Sequence, residues 1–285
     1  MKKTMRALLM VTLASSTFLL AGNSHALEFS RTGGTFLMEG PINSGDARRF
    51  ARAYLAWDEP PMVFHIDSPG GDVREAMLIG NFIRQSQTPV WSGRACDSAC
   101  VLVLVSGVER RAQGTVGLHR PRYSEEYYSK LSSTDAAKAY GKATEAITEY
   151  MVSMGVRQAA IDRMFQADSG SLDVLSAEEA SVLFGFRVPF YEEWIAAKCG
   201  RFTGDYAQAV KDLQVIERLD FNTELGKSQI HQRIEKLRIS GSKTFEIMTD
   251  PGFTESWHNY QACILRAENS HIRAFFKMAK DMVKQ

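Results

Sequence analysis

Three short segments of the chain carry residues whose types suit hydrolytic chemistry. Ser98 lies in CDSAC, between two cysteines and directly before a dense apolar run. His119 ends the apolar segment TVGLH, and Gly70 and Gly71 follow the segment MVFHID. A serine hydroxyl becomes a nucleophile when a neighbouring base removes its proton, and backbone N–H groups at a turn or helix start stabilise the oxyanion that develops. These residue types therefore suit acyl transfer.

Each segment also has an ordinary structural interpretation. Ser98 suits a helix N-cap, and SPGG suits a strand-to-helix turn in which Asp72 is only a carboxylate of the first helical turn. A histidine at a strand end is often a surface residue. Taken singly, the three segments are weak indicators of function.

The distribution of bases favours one histidine. Of the six histidines, only His65 and His119 lie outside both the N-terminal segment and the C-terminal helical segment. His65 is inside MVFHID, where a core position is expected, so His119 is the better candidate base. A Ser–Lys pair is the rival arrangement, and it would need Lys130 or a later lysine because the chain has none between Lys3 and Lys130.

Strand and helix patterns alternate from about residue 34 to 121, which predicts βαβ units and a mostly parallel sheet. The predicted strands are TFLMEG, MVFHID, PVWSG and TVGLH, with FRVPFY as a later strand. RRAQG is predicted as a connection, and Ser44 as the cap of a helix over GDARRFARAYLAW. Ser176 and Glu179 form a predicted capping box for SAEEASVLFG. In such sheets, reactive groups collect at the carboxyl ends of the strands.

The N-terminus predicts export. Lys2, Lys3 and Arg6 precede the apolar run ALLMVTLASSTFLLA, and small residues precede a cleavage point after Ala26, as in a secretory signal peptide. A membrane anchor is the alternative, but the apolar run is shorter than the roughly 20 residues that span a bilayer. We expect a periplasmic or secreted protein that does not contact the membrane after cleavage.

Composition excludes one class of partner. Cleavage removes three of the 34 basic residues and none of the 33 acidic ones, so the mature chain is slightly acidic and lacks the basic footprint of a nucleic-acid-binding protein. The predicted organisation is a signal peptide (1–26), an α/β domain (27–195) and a helical C-terminal appendage (196–285).

Four cysteines remain in the mature chain, which in an exported protein predicts two disulfides. Zinc is the competing interpretation, but no Cys-x-x-Cys pair accompanies them, so no metal is expected. Cys199 and Cys263 both lie in the C-terminal helical segment and are expected to join its ends.

Taken together, the motifs resemble the Clp protease proteolytic subunit of the ClpP/crotonase superfamily, and most closely an exported branch with a Cys-x-Ser-Ala-Cys motif. The resemblance is carried by DSPGGDVREAMLIGNFI, CDSACVLVLVSG, VGLHRP and LSAEEASVLFGFRV, in that order, and covers about residues 34–190. It implies a spiral of βαβ units with a mostly parallel sheet.

The resemblance implies a catalytic triad. Ser98 corresponds to the nucleophile and His119 to the base. The acid of the family lies seven positions before the leucine of the LSAEEA motif, which points to Asp168, with Asp162 and Asp173 as nearby alternatives. In this arrangement the acid fixes the tautomer of the histidine and stabilises the imidazolium.

The resemblance also implies an oxyanion hole formed by the N–H groups of Gly71 and Ala99. The cysteines on either side of Ser98 are a departure from the family pattern. A Cys96–Cys100 disulfide would fix the turn that presents the hydroxyl, although at i to i+4 spacing the bond would either be strained or require a non-helical turn. The alternative is two small buried thiols that pack as hydrophobic groups.

The expected function is an exported, ATP-independent serine peptidase that acts on peptides or unfolded proteins and needs no cofactor. No ATPase partner is expected, because exported compartments lack ATP. Homo-oligomerisation is suggested only by the position and length of residues 123–154. The alternatives are a catalytically silent protein that binds peptides through the same groove, and an acyl-coenzyme A enzyme, which is disfavoured because coenzyme A is not expected outside the cytoplasm.

Overall fold

The computed structural model of the chain describes residues 26–217 and 224–283. The predicted signal peptide lies, apart from Ala26, outside these residues. Within them the chain forms a mixed α/β fold with a seven-stranded, mostly parallel sheet and a long C-terminal helix. The prediction of an α/β fold with a mostly parallel sheet is confirmed.

The sheet has a simple strand order, β1-β2-β3-β4-β6-β7, with β5 pairing with the first part of β4. The contacts between β2, β3, β4 and β6 are parallel, whereas β1 and β7 join antiparallel at the two edges. The strands are β1 (Glu28–Thr32), β2 (Thr35–Glu39), β3 (Val63–Ser68), β4 (Val90–Asp97), β5 (Arg110–Ala112), β6 (Thr115–Leu118) and β7 (Asp173–Leu175).

Three helices connect the parallel strands, and the remaining ones follow β6. The first group is α1 (Asp46–Leu55), α2 (Val73–Ser86) and α3 (Cys100–Leu104). The others are α4 (Glu125–Tyr128), α5 (Ser133–Ser153), α6 (Gln158–Gln166), α7 (Ala177–Phe184), α8 (Pro189–Cys199), α9 (Gly204–Glu217), α10 (Glu224–Ile239), α11 (Lys243–Met248) and α12 (Pro251–Val283). In the part of the chain that the structure describes, no helix combines the length and apolar character that crossing a bilayer requires.

The two faces of the sheet differ in how far the helices cover them. The crossovers from β2 to β6 all advance in one direction, and right-handed crossovers of this kind place their helices on the same face. Phe64 and Ile66 of β3 point to that face and are fully buried, whereas His65 and Asp67 point to the other face and are half-buried. Side chains on the second face therefore remain partly accessible within the described residues.

Aromatic side chains fill the core between the sheet and the helices. Phe50 of α1 contacts Phe64 of β3 with ring centroids 5.5 Å apart. The C-terminal helix α12 reaches the same core, because Phe276 lies 5.2 Å from Tyr54 and Phe275 lies 5.4 Å from the ring of Phe82 on α2. The end of the C-terminal helical segment thus packs directly on α1 and α2.

Three local predictions differ from the structure, and one is confirmed. FRVPFY forms no strand beyond a single bridge between Glu109 and Arg187, because Pro189 occupies the first turn of α8, where its fixed φ and missing N–H favour a helix start. RRAQG contains strand β5 instead of being only a connection. The N-cap of α1 is Gly45, not Ser44. The capping box of Ser176 and Glu179 is present.

Candidate active site

The turn that carries Ser98 is short and conformationally unusual. Strand β4 ends at Asp97 and α3 begins at Cys100, so only two residues connect them. Ser98 has φ +57°, in the left-handed region that residues with a Cβ rarely adopt, and its N–H donates to the carbonyl of Gly117 at 2.8 Å. Because Ser98 is only half-buried, its side chain stays accessible at the edge of the sheet.

A disulfide spans this turn. Cys96 and Cys100 are bonded, with Cα atoms 5.2 Å apart, and both residues are fully buried. The bridge is possible because Cys96 lies in a strand and the left-handed residue Ser98 interrupts any helical path to Cys100. The predicted Cys96–Cys100 disulfide is confirmed.

The second predicted disulfide is also present. Cys199, the last residue of α8, is bonded to Cys263 of α12, and their Cα atoms are 5.8 Å apart. It closes a long loop, because 64 positions separate the two cysteines in the sequence. Two disulfides fit an oxidising location outside the cytoplasm.

The glycine turn after β3 packs directly on the Ser98 turn. Gly70 has φ +90°, and a Cβ added there would lie 2.5 Å from the carbonyl oxygen of Asp97, 2.7 Å from the Cβ of Ser98 and 2.9 Å from the backbone nitrogen of Ala99. Only glycine fits such a close approach. In the described part of the chain, the N–H groups of Gly71 and Ala99 donate no hydrogen bond.

His119 follows the end of the strand beside β4. Strands β4 and β6 run parallel with Asp97 opposite Gly117. The loops that carry Ser98 and His119 therefore both lie at the carboxyl ends of the parallel strands. Nδ1 of His119 lies 2.7 Å from the carbonyl oxygen of Arg120. A carbonyl only accepts, so Nδ1 carries the proton and Nε2 of the neutral ring is the basic nitrogen. Within residues 26–217 and 224–283, no hydrogen bond joins His119 to Ser98.

None of the three acids considered from the sequence forms a hydrogen bond or ion pair with His119 in the described residues. Asp168 is exposed in the loop between α6 and β7, and its Oδ1 accepts from the N–H of Gly170 at 2.8 Å. Asp162 accepts a hydrogen bond from the Gln158 side chain. Asp173 accepts two hydrogen bonds from Arg163, at 2.6 and 2.9 Å, and the first of these lowers the pKa of the Asp173 carboxyl.

Asp97 is an acidic residue beside Ser98 that the sequence analysis did not consider as a site residue. It is half-buried at the end of β4, and removal from water raises the pKa of its carboxyl above the usual value, as does the charge of Asp67. The N–H of Gly117 and the imidazole of His119 act in the opposite direction. Its position directly before Ser98 was a usable signal, because a strand end beside a candidate nucleophile is where functional carboxylates are expected.

A cleft of about 680 Å³ opens beside the glycine turn. One side is formed by Gly71 and the start of α2, and the other by the segment that follows His119 and by α5. Its floor is largely apolar, and the rings of Tyr123 and Tyr127 pack together at 4.7 Å near it. The residues that shape it include Gly71, Arg74, Met77, Arg122, Tyr123 and Ile147. The cleft adjoins the glycine turn, and Ser98 and His119 are not among the residues that line it.

The left-handed conformation of Ser98 predicts an unusual stability effect. We expect Ser98→Gly to be about 1 kcal/mol more stable than Ser98→Ala, because glycine adopts positive φ without the steric cost that a Cβ imposes. Thermal or urea unfolding of both variants measures the difference.

Ser129 provides the matched comparison. It is exposed at the end of α4 with an ordinary φ of −62°, so Ser129→Gly should be less stable than Ser129→Ala. The same order of stabilities at both positions would contradict a strained Ser98.

Comparison of the sequence with protein-family models and with curated proteins finds no match. The functional assignment therefore depends on the geometry at the edge of the sheet and on the sequence motifs that meet there.

Proposed function

We propose that the chain is an exported, ATP-independent serine peptidase of the ClpP-like type, and that its sheet and helices form the corresponding spiral of βαβ units. Ser98 is the nucleophile, His119 the general base, and the N–H groups of Gly71 and Ala99 the oxyanion hole. The substrates are peptides or unfolded protein segments that lie in the cleft beside the glycine turn.

One observation carries this proposal. Ser98 occupies a left-handed turn between a buried strand and a buried helix, in direct contact with a glycine turn, and the two adjacent N–H groups have no acceptor in the described residues. A capping serine needs neither the strained φ nor the contact with Gly70. Backbone strain of this kind is typically retained where it positions a reacting group.

The reaction follows from these positions. Nε2 of His119 takes the proton of the Ser98 hydroxyl while Oγ bonds to the substrate carbonyl carbon, and the electron pair of the C=O bond moves to the oxygen, which the two N–H groups stabilise. The imidazolium then returns the proton to the leaving amine as the C–N bond breaks. Water then attacks the carbonyl carbon of the acyl-enzyme while Nε2 of His119 takes its proton, and that proton passes to the Ser98 oxygen as the ester C–O bond breaks and the acid product leaves.

A second function is favoured by one observation. Ser98 and His119 form no hydrogen bond in the described residues, which suits a protein that binds peptides in the cleft without cleaving them. Catalytic hydrogen bonds are often long in unliganded enzymes and tighten when substrate binds. The missing hydrogen bond therefore does not count against the peptidase, which stays our leading proposal.

Serine labelling separates the two functions. We expect a fluorophosphonate probe to modify the mature protein on Ser98, as mapped by peptide mass spectrometry. The probe phosphonylates only an activated hydroxyl, so labelling should be lost in Ser98→Ala and strongly reduced in His119→Gln.

Ser171→Ala is the matched control, because Ser171 is an exposed serine in the loop before β7 and should not affect labelling. An unlabelled wild-type protein, or labelling that maps to another serine, would reject the peptidase. Retained binding of unfolded polypeptide by that unlabelled protein would then support the binding function.

A further inference from the structure

Two different groups can orient the His119 ring and stabilise its positive charge. Orientation comes from the main chain, because the carbonyl of Arg120 accepts the Nδ1 proton at 2.7 Å and fixes the tautomer. A carbonyl carries no net charge, so it stabilises the imidazolium less than a carboxylate does. Once His119 has taken the proton from Ser98, a negatively charged group other than this carbonyl is therefore needed to stabilise the imidazolium.

The register between β4 and β6 places the Asp97 carboxylate beside the strand that leads to His119. Asp97 of β4 pairs with Gly117 of β6, and paired residues in a sheet point to the same face. His119 is two positions after Gly117, directly after the end of β6, and its imidazole acts electrostatically on the Asp97 carboxyl. Ser98 follows Asp97 directly.

Gly117 makes room for this carboxylate. A Cβ added to Gly117 would overlap Oδ1 of Asp97, and it would lie 3.1 Å from a methyl group of Leu172. The absent side chain thus leaves space that the Asp97 carboxylate occupies, between β4 and the strand that carries His119. Any larger residue at position 117 would displace the carboxylate.

The other carboxylates on this side of the sheet have partners of their own. Asp67 on β3 faces Asp97 and forms an ion pair with Arg94, whose Nε lies 3.0 Å from its Oδ2. Asp97 itself has no Lys, Arg or His nitrogen within 4.0 Å in the described residues. On the β7 side, Asp173 is held by Arg163 and Asp168 by the Gly170 N–H. Asp97 therefore has no cationic partner in the described residues, and of these carboxylates it is the one paired in the sheet with the strand that leads to His119.

We propose that Asp97 is the positioning residue whose carboxylate stabilises protonated His119, with the Arg120 carbonyl fixing the tautomer. This inference rests on the proposed serine chemistry and names the acid of that site. Asp97 stays ionised while the proton moves from Ser98 to His119 and on to the leaving group. The acid thus comes from the residue before the nucleophile, and the loop aspartate Asp168 is not required.

The first test needs no catalytic activity. The imidazole signals of His119, assigned by their loss in His119→Gln, are followed by NMR against pH in the folded mature protein. Because the Asp97 carboxylate favours the protonated ring, Asp97→Asn should move the midpoint of this titration to lower pH. Asp168→Asn should leave it nearly unchanged.

Asp58→Asn is the neutral control, because Asp58 is an exposed carboxylate in the loop before β3, at the opposite end of the parallel strands. A larger shift in Asp168→Asn than in Asp97→Asn would assign the role to Asp168 and overturn the proposal. No shift in Asp97→Asn would overturn it as well, whether or not the protein proves to be a hydrolase.

The second test uses the labelling reaction. Asp97→Asn should lower the plateau rate of Ser98 modification about 100-fold and move the acid limb of its pH profile to lower pH. Asp97→Glu keeps the charge and should restore part of the rate. A slower plateau with an unmoved acid limb would indicate only a structural role. Absence of labelling in the wild type would reject the hydrolase, and the NMR titration would still decide the coupling.

Discussion

Replacing Gly70 by alanine should slow fluorophosphonate modification of Ser98 by at least about 1000-fold. The added Cβ would lie 2.5 Å from the Asp97 carbonyl oxygen and 2.7 Å from the Cβ of Ser98, so one of the two turns must move. A displacement of about 1 Å costs about 100-fold in a positioned reaction, and the same movement misaligns the N–H groups beside Ser98. The measurement is the second-order labelling rate of folded protein.

Gly45→Ala is the control for backbone strain. Gly45 also has φ +90°, but a Cβ there has no atom within 4 Å. Both variants should lose about 1–2 kcal/mol of stability from the positive φ, and only Gly70→Ala should lose labelling. Equal labelling of Gly70→Ala and wild type would show that the contact between the two turns is not needed for reactivity.

The Gly80→Ala substitution should destabilise the protein by about 3 kcal/mol, although alanine is the better helix former. A Cβ on this residue of α2 would overlap the hydroxyl of Tyr150, which is buried and donates to the carbonyl of Leu102 at 2.8 Å. Alanine must therefore displace the tyrosine, overpack the core and break that hydrogen bond. Chemical unfolding measures the loss.

A suppressor identifies the cause. Tyr150→Phe alone should cost about 1 kcal/mol, and the double variant should be more stable than the sum of the two single effects, because the overlapping oxygen is gone. Gly141→Ala, at an exposed helical position of α5 with no atom within 4 Å of the added Cβ, should be neutral or slightly stabilising. Additive effects of Gly80→Ala and Tyr150→Phe would contradict the proposed overlap.

Local patterns predicted much of the fold. The apolar runs around Phe64 and Val116 predicted buried parallel strands. The side chains that such a strand turns towards the helices must be apolar, and this requirement does not depend on which strands lie beside it. The capping box of Ser176 was equally predictable, since it needs only residues three apart. The prediction of a strand over FRVPFY was wrong because its apolar residues suit a strand or a helix equally well. Pro189 in the first turn of α8 favours the helix.

The sequence by itself determined which residues can react and where the strands that carry them end. It also determined the cysteine spacing that, once bridged, excludes a helix through Ser98. Only the tertiary structure decided that Ser98 is left-handed, that Gly70 touches it and that Asp97 faces the His119 strand. These three facts depend on strand register and on contacts between segments far apart in the chain, and no local pattern of residue types encodes either.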